Sequence, residues 1–220
     1  MILEVRAVAP FYKNGFVVGC ERTREGVLID PGDEVDQLLA AAFEADVQIQ
    51  RILLTHAHVD HVTGVAAAKE ALQVPVHLHK DDLFLYEQVV EHGRFFGLKV
   101  RPQPPIDDFY SGSSLGFGDY SVTVHHTPGH CPGGVCLRIE RSAGGGTRHL
   151  FVGDTLFAGS IGRTDLPGGD YEVLLQSITG VLFPLGDDAV VHPGHGPDTT
   201  IGRERQTNPF VLEYVRGIRP

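Results

Sequence analysis

The chain has 220 residues, 42% of them hydrophobic and 21% charged, enough for one large domain with a sizeable core. Its formal net charge of −10 excludes nucleic acid and anionic membrane as favourable partners, and no apolar run reaches the ~20 residues of a membrane helix. Three cysteines, Cys20, Cys131 and Cys136, in no disulfide-like spacing, and a start without the plan of a signal peptide lead to the expectation of a reducing, cytoplasmic setting.

Ile2–Val8 alternates as a half-buried strand does. Gly15–Cys20 and Gly26–Ile29 are short apolar runs around a charged turn and predict a hairpin. Asp30-Pro31-Gly32 is a turn, after which an amphipathic helix runs from Asp33 or Glu34 to about Ala45, with Leu38, Leu39, Ala42 and Phe43 on one face. Ile49–Leu54 predicts a buried strand. It delivers Thr55–Gly64, T-H-A-H-V-D-H-V-T-G, in which His56, His58, Asp60 and His61 fall within six residues. In extended chain His56 and His58 share a side, and Asp60 and His61 arrive near the start of a helix predicted over Val62–Leu72. Imidazole nitrogen and carboxylate oxygen suit zinc and similar transition metals; the alternative, a polar strand-to-helix loop, rarely carries three histidines and an aspartate together.

A strand over Val74–His79 and a helical stretch over Lys80–His92 follow. Gly93–Gly118 reads as irregular, either a lid or a linker. Tyr120–His126 alternates as a strand and leads into Thr127-Pro128-Gly129-His130. Val135–Arg141 and His149–Val152 predict a hairpin, ending in Gly153-Asp154. Ala158–Gly169 is a glycine-rich loop with Arg163, Thr164 and Asp165. Asp170 can cap a helix over Tyr171–Leu182, Asp188–Val191 reads as a last buried strand, and His192-Pro193-Gly194-His195-Gly196 follows it. Thr200 can cap a final helix, interrupted at Pro209. Strands and helices thus recur in two similar halves, which predicts two sheets packed together with helices outside. Every candidate ligand sits just after a predicted strand, where strand-end loops converge.

The series H-x-H-x-D-H, then P-G-H, then G-D, then P-G-H-G resembles that of the metallo-β-lactamase-fold hydrolases, and most closely the short glyoxalase II-like (hydroxyacylglutathione hydrolase-like) members. Further matches are G-D-T-L-F at Gly153–Phe157, G-R-T-D at Gly162–Asp165, and the tail carrying Gly202-Arg203-Glu204-Arg205 and Asn208-Pro209-Phe210. The resemblance implies an α/β chain folded as a four-layer αβ/βα sandwich over residues 1–220. Because 25 residues follow His195, it also implies no separate C-terminal helical domain for binding glutathione. It further implies a dinuclear centre. His56, His58 and His130 would hold the first metal, Asp60, His61 and His195 the second, and Asp154 would bridge both. Zinc is the first expectation for the two divalent ions, with iron or manganese as alternatives.

Such a centre lowers the pKa of bound water from ~15.7 to about 7 and polarises a carbonyl. Asp60 can, besides ligating, orient the nucleophile and take its proton. A thiolate, of pKa near 8.5, leaves without a strong acid catalyst, whereas an amide nitrogen needs a proton donor. The expected function is therefore hydrolysis of a small-molecule thioester of hydroxyacylglutathione type. Arg163 either receives a substrate carboxylate or pairs with Asp165 or Asp170. His126 and His192 either hydrogen-bond behind ligands or do not, and Cys131 reads as a small packing residue. Persulfide dioxygenases share the fold and the opening motif, and use one iron at positions matching His56, His130 and Asp154; that is the alternative function. A non-catalytic metal-binding protein is the third reading, and the presence of both Asp60 and Asp154 opposes it. The oligomeric state is not legible.

Overall fold

A computed structural model describes residues 1–110 and 115–217. The first sheet takes its strands in chain order: β1 (Ile2–Arg6), β2 (Gly15–Gly19), β3 (Glu25–Ile29), β4 (Gln48–Leu53), β5 (Val76–Leu78) and β6 (Asp108–Phe109). β1, β2 and β3 pair antiparallel, and β3 to β6 pair parallel. The second half supplies β7 (Leu115–Phe117), β8 (Tyr120–His126), β9 (Val135–Arg141) and β10 (His149–Gly153), a small hairpin of β11 (Leu156–Phe157) and β12 (Ser160–Ile161), then β13 (Val190–Pro193) and β14 (Thr199–Thr200). The second sheet runs β14-β13-β10-β9-β8-β7, with β10 and β13 parallel.

Alternation along the strands sorts the side chains into layers. Phe16, Val18, Val27, Ile29 and Leu53 of the first sheet meet Phe117, Val122, Leu137, Ile139 and Phe151 of the second in one buried cluster. The intervening residues face outward. Val17, Leu28, Ile52 and Leu54 meet helices α1 (Val35–Glu44) and α3 (Val65–Leu72). Leu150, Val152 and Val191 meet α6 (Tyr171–Ser177), α7 (Ile201–Thr207) and α8 (Pro209–Val215). The order helix, sheet, sheet, helix is the predicted four-layer sandwich. The three remaining helices, α2 (Val59–Val62), α4 (Leu83–Glu87) and α5 (Val89–Phe95), lie in the first half.

The expected caps form. Asp170 accepts from the Val173 amide at 3.0 Å and Thr200 from the Arg203 amide at 3.2 Å. Asn208 accepts from the Val211 amide at the start of α8, so Pro209 opens a new helix at its favoured first position.

Three expectations are corrected. The single helix over Val62–Leu72 is two helices, α2 and α3, broken at Thr63–Gly64. A Cβ at Gly64 would lie 2.3 Å from the Gly32 carbonyl oxygen, so the break is where this chain passes against the Asp30-Pro31-Gly32 turn. Gly93–Gly118 is not wholly irregular: α5 covers its start, and β6 and β7 each add an edge to a sheet. Residues 111–114, part of the same stretch, lie outside the described residues. The loop expected over Ala158–Gly169 contains β12, paired with β11 through Leu156–Ile161 and Phe157–Ser160. Two-residue strands are too short for alternation to reveal.

Candidate metal centre

All candidate ligands lie beyond the C-terminal ends of strands, where parallel α/β sheets place their sites. Thr55–His61 follows β4, His130 follows β8, Asp154 follows β10 and His195 follows β13. The two sheets aim these ends at one place. His56, His58 and His130 come together as one buried group with ligand atoms within 4.8 Å of one another, and Asp60, His61 and His195 form a second group by the same measure. Asp154 stands between them. Its Oδ1 is 3.4 Å from His61 Nε2, and its Oδ2 is 3.5 Å from His195 Nε2 and 3.7 Å from His130 Nε2. The structure thus brings together all seven residues that the sequence singled out as ligands.

Three of the rings are oriented from behind. Asp30 Oδ2 accepts from His61 Nδ1 at 3.0 Å, and Thr55 Oγ1 lies 3.1 Å from His56 Nδ1. His130 Nδ1 donates to the Arg163 carbonyl oxygen at 2.7 Å. These contacts leave the Nε2 atoms of His56, His61 and His130 turned toward the shared space. His58 meets His130 through Nδ1, 2.7 Å from His130 Nε2. His56 Nε2, His61 Nε2 and Asp154 Oδ1 are buried and have no hydrogen-bond partner. Buried polar atoms without partners are costly in a folded protein, and three of them converging from imidazole and carboxylate form the donor set that a borderline transition metal takes. The residues present therefore fit a pair of divalent ions.

The electrostatics agree. Burial pushes His56 and His58 below the usual histidine value, His58 to about 3, with neighbouring histidines adding to the shift; both are held neutral, the form that ligates. Burial opposes charge on His61 too, but Asp60, Asp154 and Asp30 outweigh it and raise its pKa to about 10. Asp154 goes the other way. Although burial disfavours its charge, His61, His130 and His195 hold the carboxylate well below its ordinary range. The carboxylates that favour a proton on His61 would equally favour a metal cation held by the same residues.

The backbone geometry of the ligand loops depends on close approach. A Cβ at Gly194 would sit 2.2 Å from Asp154 Oδ1 and 2.7 Å from His61 Cε1, so only glycine lets the β13 loop pass the central carboxylate. Gly129 has φ +127° and its Cβ position lies 2.2 Å from the Leu174 amide nitrogen, which ties the His130 loop to α6. Asn14 fastens the far loop: its amide N donates to the Gly194 oxygen at 2.6 Å, and Nδ2 donates to the Pro193 and Gly196 oxygens at 3.0 and 2.8 Å.

Sequence reasoning missed two buried carboxylates. Asp30 reads as a turn residue in sequence, yet it also takes the Thr55 amide at 2.7 Å and the Thr55 hydroxyl at 2.5 Å. Its signal was available, since it ends a strand just as Asp154 does. Asp82 was assigned to a helical stretch; it is fully buried and accepts from the Ala57 amide at 3.0 Å, the Gly133 amide at 2.5 Å and Cys131 Sγ at 3.2 Å. It therefore links the loop of His56 and His58 to the loop of His130. Nothing in Lys80-Asp81-Asp82 distinguishes it from a solvated helix start. Asp82→Ala is expected to leave two buried amides unpaired and to destabilise the metal-free protein by about 3 kcal/mol in urea unfolding. Metal affinity should fall roughly 10- to 100-fold, as for groups that hold ligands in place. Unchanged metal affinity would mean that the two loops keep their spacing without Asp82.

Other expectations resolve against a role at the ligands. His126 Nε2 donates to the Pro132 oxygen and its ring stacks on His79; His192 pairs with His149 and Asp198 and stacks on Phe151. Cys131 is buried, its thiol pushed up by burial and by Asp82. Arg163 lines the cavity above the ligands, but its guanidinium makes two 2.7 Å bonds to Asp165. The Arg163 backbone oxygen is what holds the His130 ring.

No helix among the described residues is long and apolar enough to cross a membrane. The profile of the metallo-beta-lactamase superfamily matches residues 8–198. The chain is 36% identical over 219 residues to hydroxyacylglutathione hydrolase GloC of Haemophilus influenzae, covering 96% of this chain and 98% of that protein. Among solved structures, TTHA1623 in a di-iron-bound form superposes with a TM-score of 0.82 at 43% identity, covering 94% of this chain and 99% of that one. The BLEG-1 B3 metallo-beta-lactamase superposes with a TM-score of 0.86 at 36% identity, covering 96% and 99%. Sequence, fold and the histidine–aspartate clusters converge: this chain belongs to the metallo-β-lactamase superfamily, whose members bind divalent metal ions.

Proposed function

We propose that the protein is a dinuclear-metal hydrolase that cleaves a thioester of the hydroxyacylglutathione type. The observation that carries this reading is the position of Asp154, within 3.7 Å of His130 on one side and 3.5 Å or less of His195 and His61 on the other. One carboxylate shared by two complete donor groups suits two ions better than one. His56, His58 and His130 would hold the first, Asp60, His61 and His195 the second. Two such ions, when bound, supply a hydroxide nucleophile at neutral pH and a Lewis acid for the carbonyl.

The chain's own groups do the rest. Burial alone would raise Asp60, but the charge of His61 and the hydrogen bond from His195 Nε2 at 3.1 Å bring its pKa below the usual carboxylate value. Asp60 is thus held ionised at the cavity floor, where it can orient the attacking water and accept its proton. The His130–Arg163 hydrogen bond fixes the ring that faces it. Thiolate departure needs no proton donor, which matches a cavity whose polar lining consists mostly of candidate ligands. The 36% identity to GloC over almost the whole chain supports this substrate class, and the di-iron form of TTHA1623 supports a two-metal centre.

The test is a paired measurement on protein purified anaerobically: metals per chain, thioester cleavage, and oxygen uptake with glutathione persulfide. About two metals, S-lactoylglutathione cleavage and no oxygen uptake are expected. One iron per chain with oxygen consumption would instead establish a persulfide dioxygenase, and two metals without turnover of either substrate a metal-binding protein.

A further inference from the structure

The cavity over the candidate ligands holds about 450 Å³ and is walled on one side by Phe11, Phe95 and Phe96, a volume within the range of small-molecule sites. The three rings form one cluster. Phe95 and Phe96 lie perpendicular at 5.4 Å between centroids, and Phe96 meets Phe11 edge-on at 5.8 Å. Phe95 and Phe96 are nonetheless 86% and 48% exposed. Contiguous apolar surface left open beside a polar cleft marks a place where something apolar binds. The wall is also fixed relative to the ligands. Phe11 is three residues from Asn14, which is bonded to the loop carrying His195, and Leu85 of α4, in the same wall, is buried.

The charges of the cavity point the same way. Arg163 is the only lysine or arginine among the described residues that line it, and both arms of its guanidinium are taken by Asp165. The lining carboxylates are Asp60 and Asp154, which belong to the candidate metal centre. Apart from Arg163 and the candidate metal centre, His92 is the one titratable side chain among the described residues that line the cavity. An uncharged apolar group would bury carbon against three aromatic rings.

We propose that Phe11, Phe95 and Phe96 form a subsite for an apolar substituent of the substrate, larger than a methyl group. This rests on the thioester-hydrolase reading above. The apolar group has two possible sources, the acyl side and the thiol side, which share the same recognition chemistry.

Two ladders distinguish them in the metal-loaded enzyme. The first compares the lactoyl and 2-hydroxyhexanoyl thioesters of glutathione; the second compares lactoyl thioesters of propanethiol and of hexanethiol. About fourfold in kcat/KM is expected per buried methylene, so on the order of 50-fold across three. A steep acyl ladder places the apolar group on the acyl side, a steep thiol ladder on the leaving group. Phe95→Ala and Phe96→Ala should each compress the steep ratio to less than about a third, read as a ratio so that general losses cancel. In parallel, calorimetry on the metal-free protein compares thioether analogues with the same two chain lengths, and the longer should bind more tightly. Flat ladders together with equal thioether affinities would overturn the subsite. Failure of every thioester to turn over, with the thioether preference intact, would overturn the hydrolase reading and leave the apolar subsite standing.

Discussion

Asp154→Ala is expected to release both metal ions and abolish turnover, with the fold intact. This carboxylate reaches both ligand groups, Oδ1 toward His61 and Oδ2 toward His195 and His130, where otherwise the groups meet ring to ring at His56 and His61, 4.0 Å between centroids. Removing it leaves three imidazoles in the first group and two imidazoles with one carboxylate in the second. It also removes the charge that offsets repulsion between two adjacent divalent cations. The loss in affinity should exceed the roughly 10- to 100-fold typical of residues that merely orient ligands. The same change should lower the pKa of His61 in the metal-free protein, because Asp154 is one of the carboxylates that raise it to about 10. Metal content after dialysis and the His61 titration by NMR provide separate readouts. Retention of both ions in the Asp154 variant would show that the two groups bind independently, and would remove the bridging role.

The fold was legible because its strands obey simple alternation and its helices carry their caps in sequence. Val17 and Leu28 face one way while Phe16, Val18, Val27 and Ile29 face the other, and strands apolar on both faces require layers on both sides. The ligands were legible for a different reason: each follows a predicted strand, and together they form the series H-x-H-x-D-H, P-G-H, G-D and P-G-H-G. What could not be read was set by contacts distant in sequence. The break at Gly64 depends on Gly32, the role of Asp82 depends on Gly133, and the pairing of β5 with β6 joins His77 to Asp108 across a stretch without periodicity. Arg163 shows the limit within the site itself. Its guanidinium pairs with the neighbour two positions on, one of the two roles its residue type offers, while the backbone oxygen, invisible to any motif, holds His130. The aromatic wall was equally hidden, since Phe11 and Phe96 are far apart in sequence and meet only in the fold.

Asp60→Asn separates the two chemistries that this fold can house. Asparagine keeps the volume and one oxygen, so its packing between His61 and His195 should persist with little change in stability. What it loses is charge and basicity. If the second group holds a metal and Asp60 accepts the proton of the attacking water, kcat for S-lactoylglutathione should fall roughly 10²- to 10⁴-fold, the usual worth of a positioned base. The second ion should be bound more weakly while the first stays. KM should change less than kcat, because Asp60 acts on the nucleophile more than on the bound thioester. The pH profile offers an independent check. In the metal-free protein Asp60 is held ionised, its pKa pulled down by His61 and His195 against burial, so any acidic limb of kcat that Asp60 imposes should be absent from the residual activity of the variant. His195→Ala makes the complementary case, removing a neutral donor from the same group; it should cost the second ion and leave the first in place. If instead Asp60→Asn and His195→Ala both leave turnover and metal content unchanged, the second group is idle, and a single ion at His56, His58, His130 and Asp154 must carry whatever reaction the protein performs.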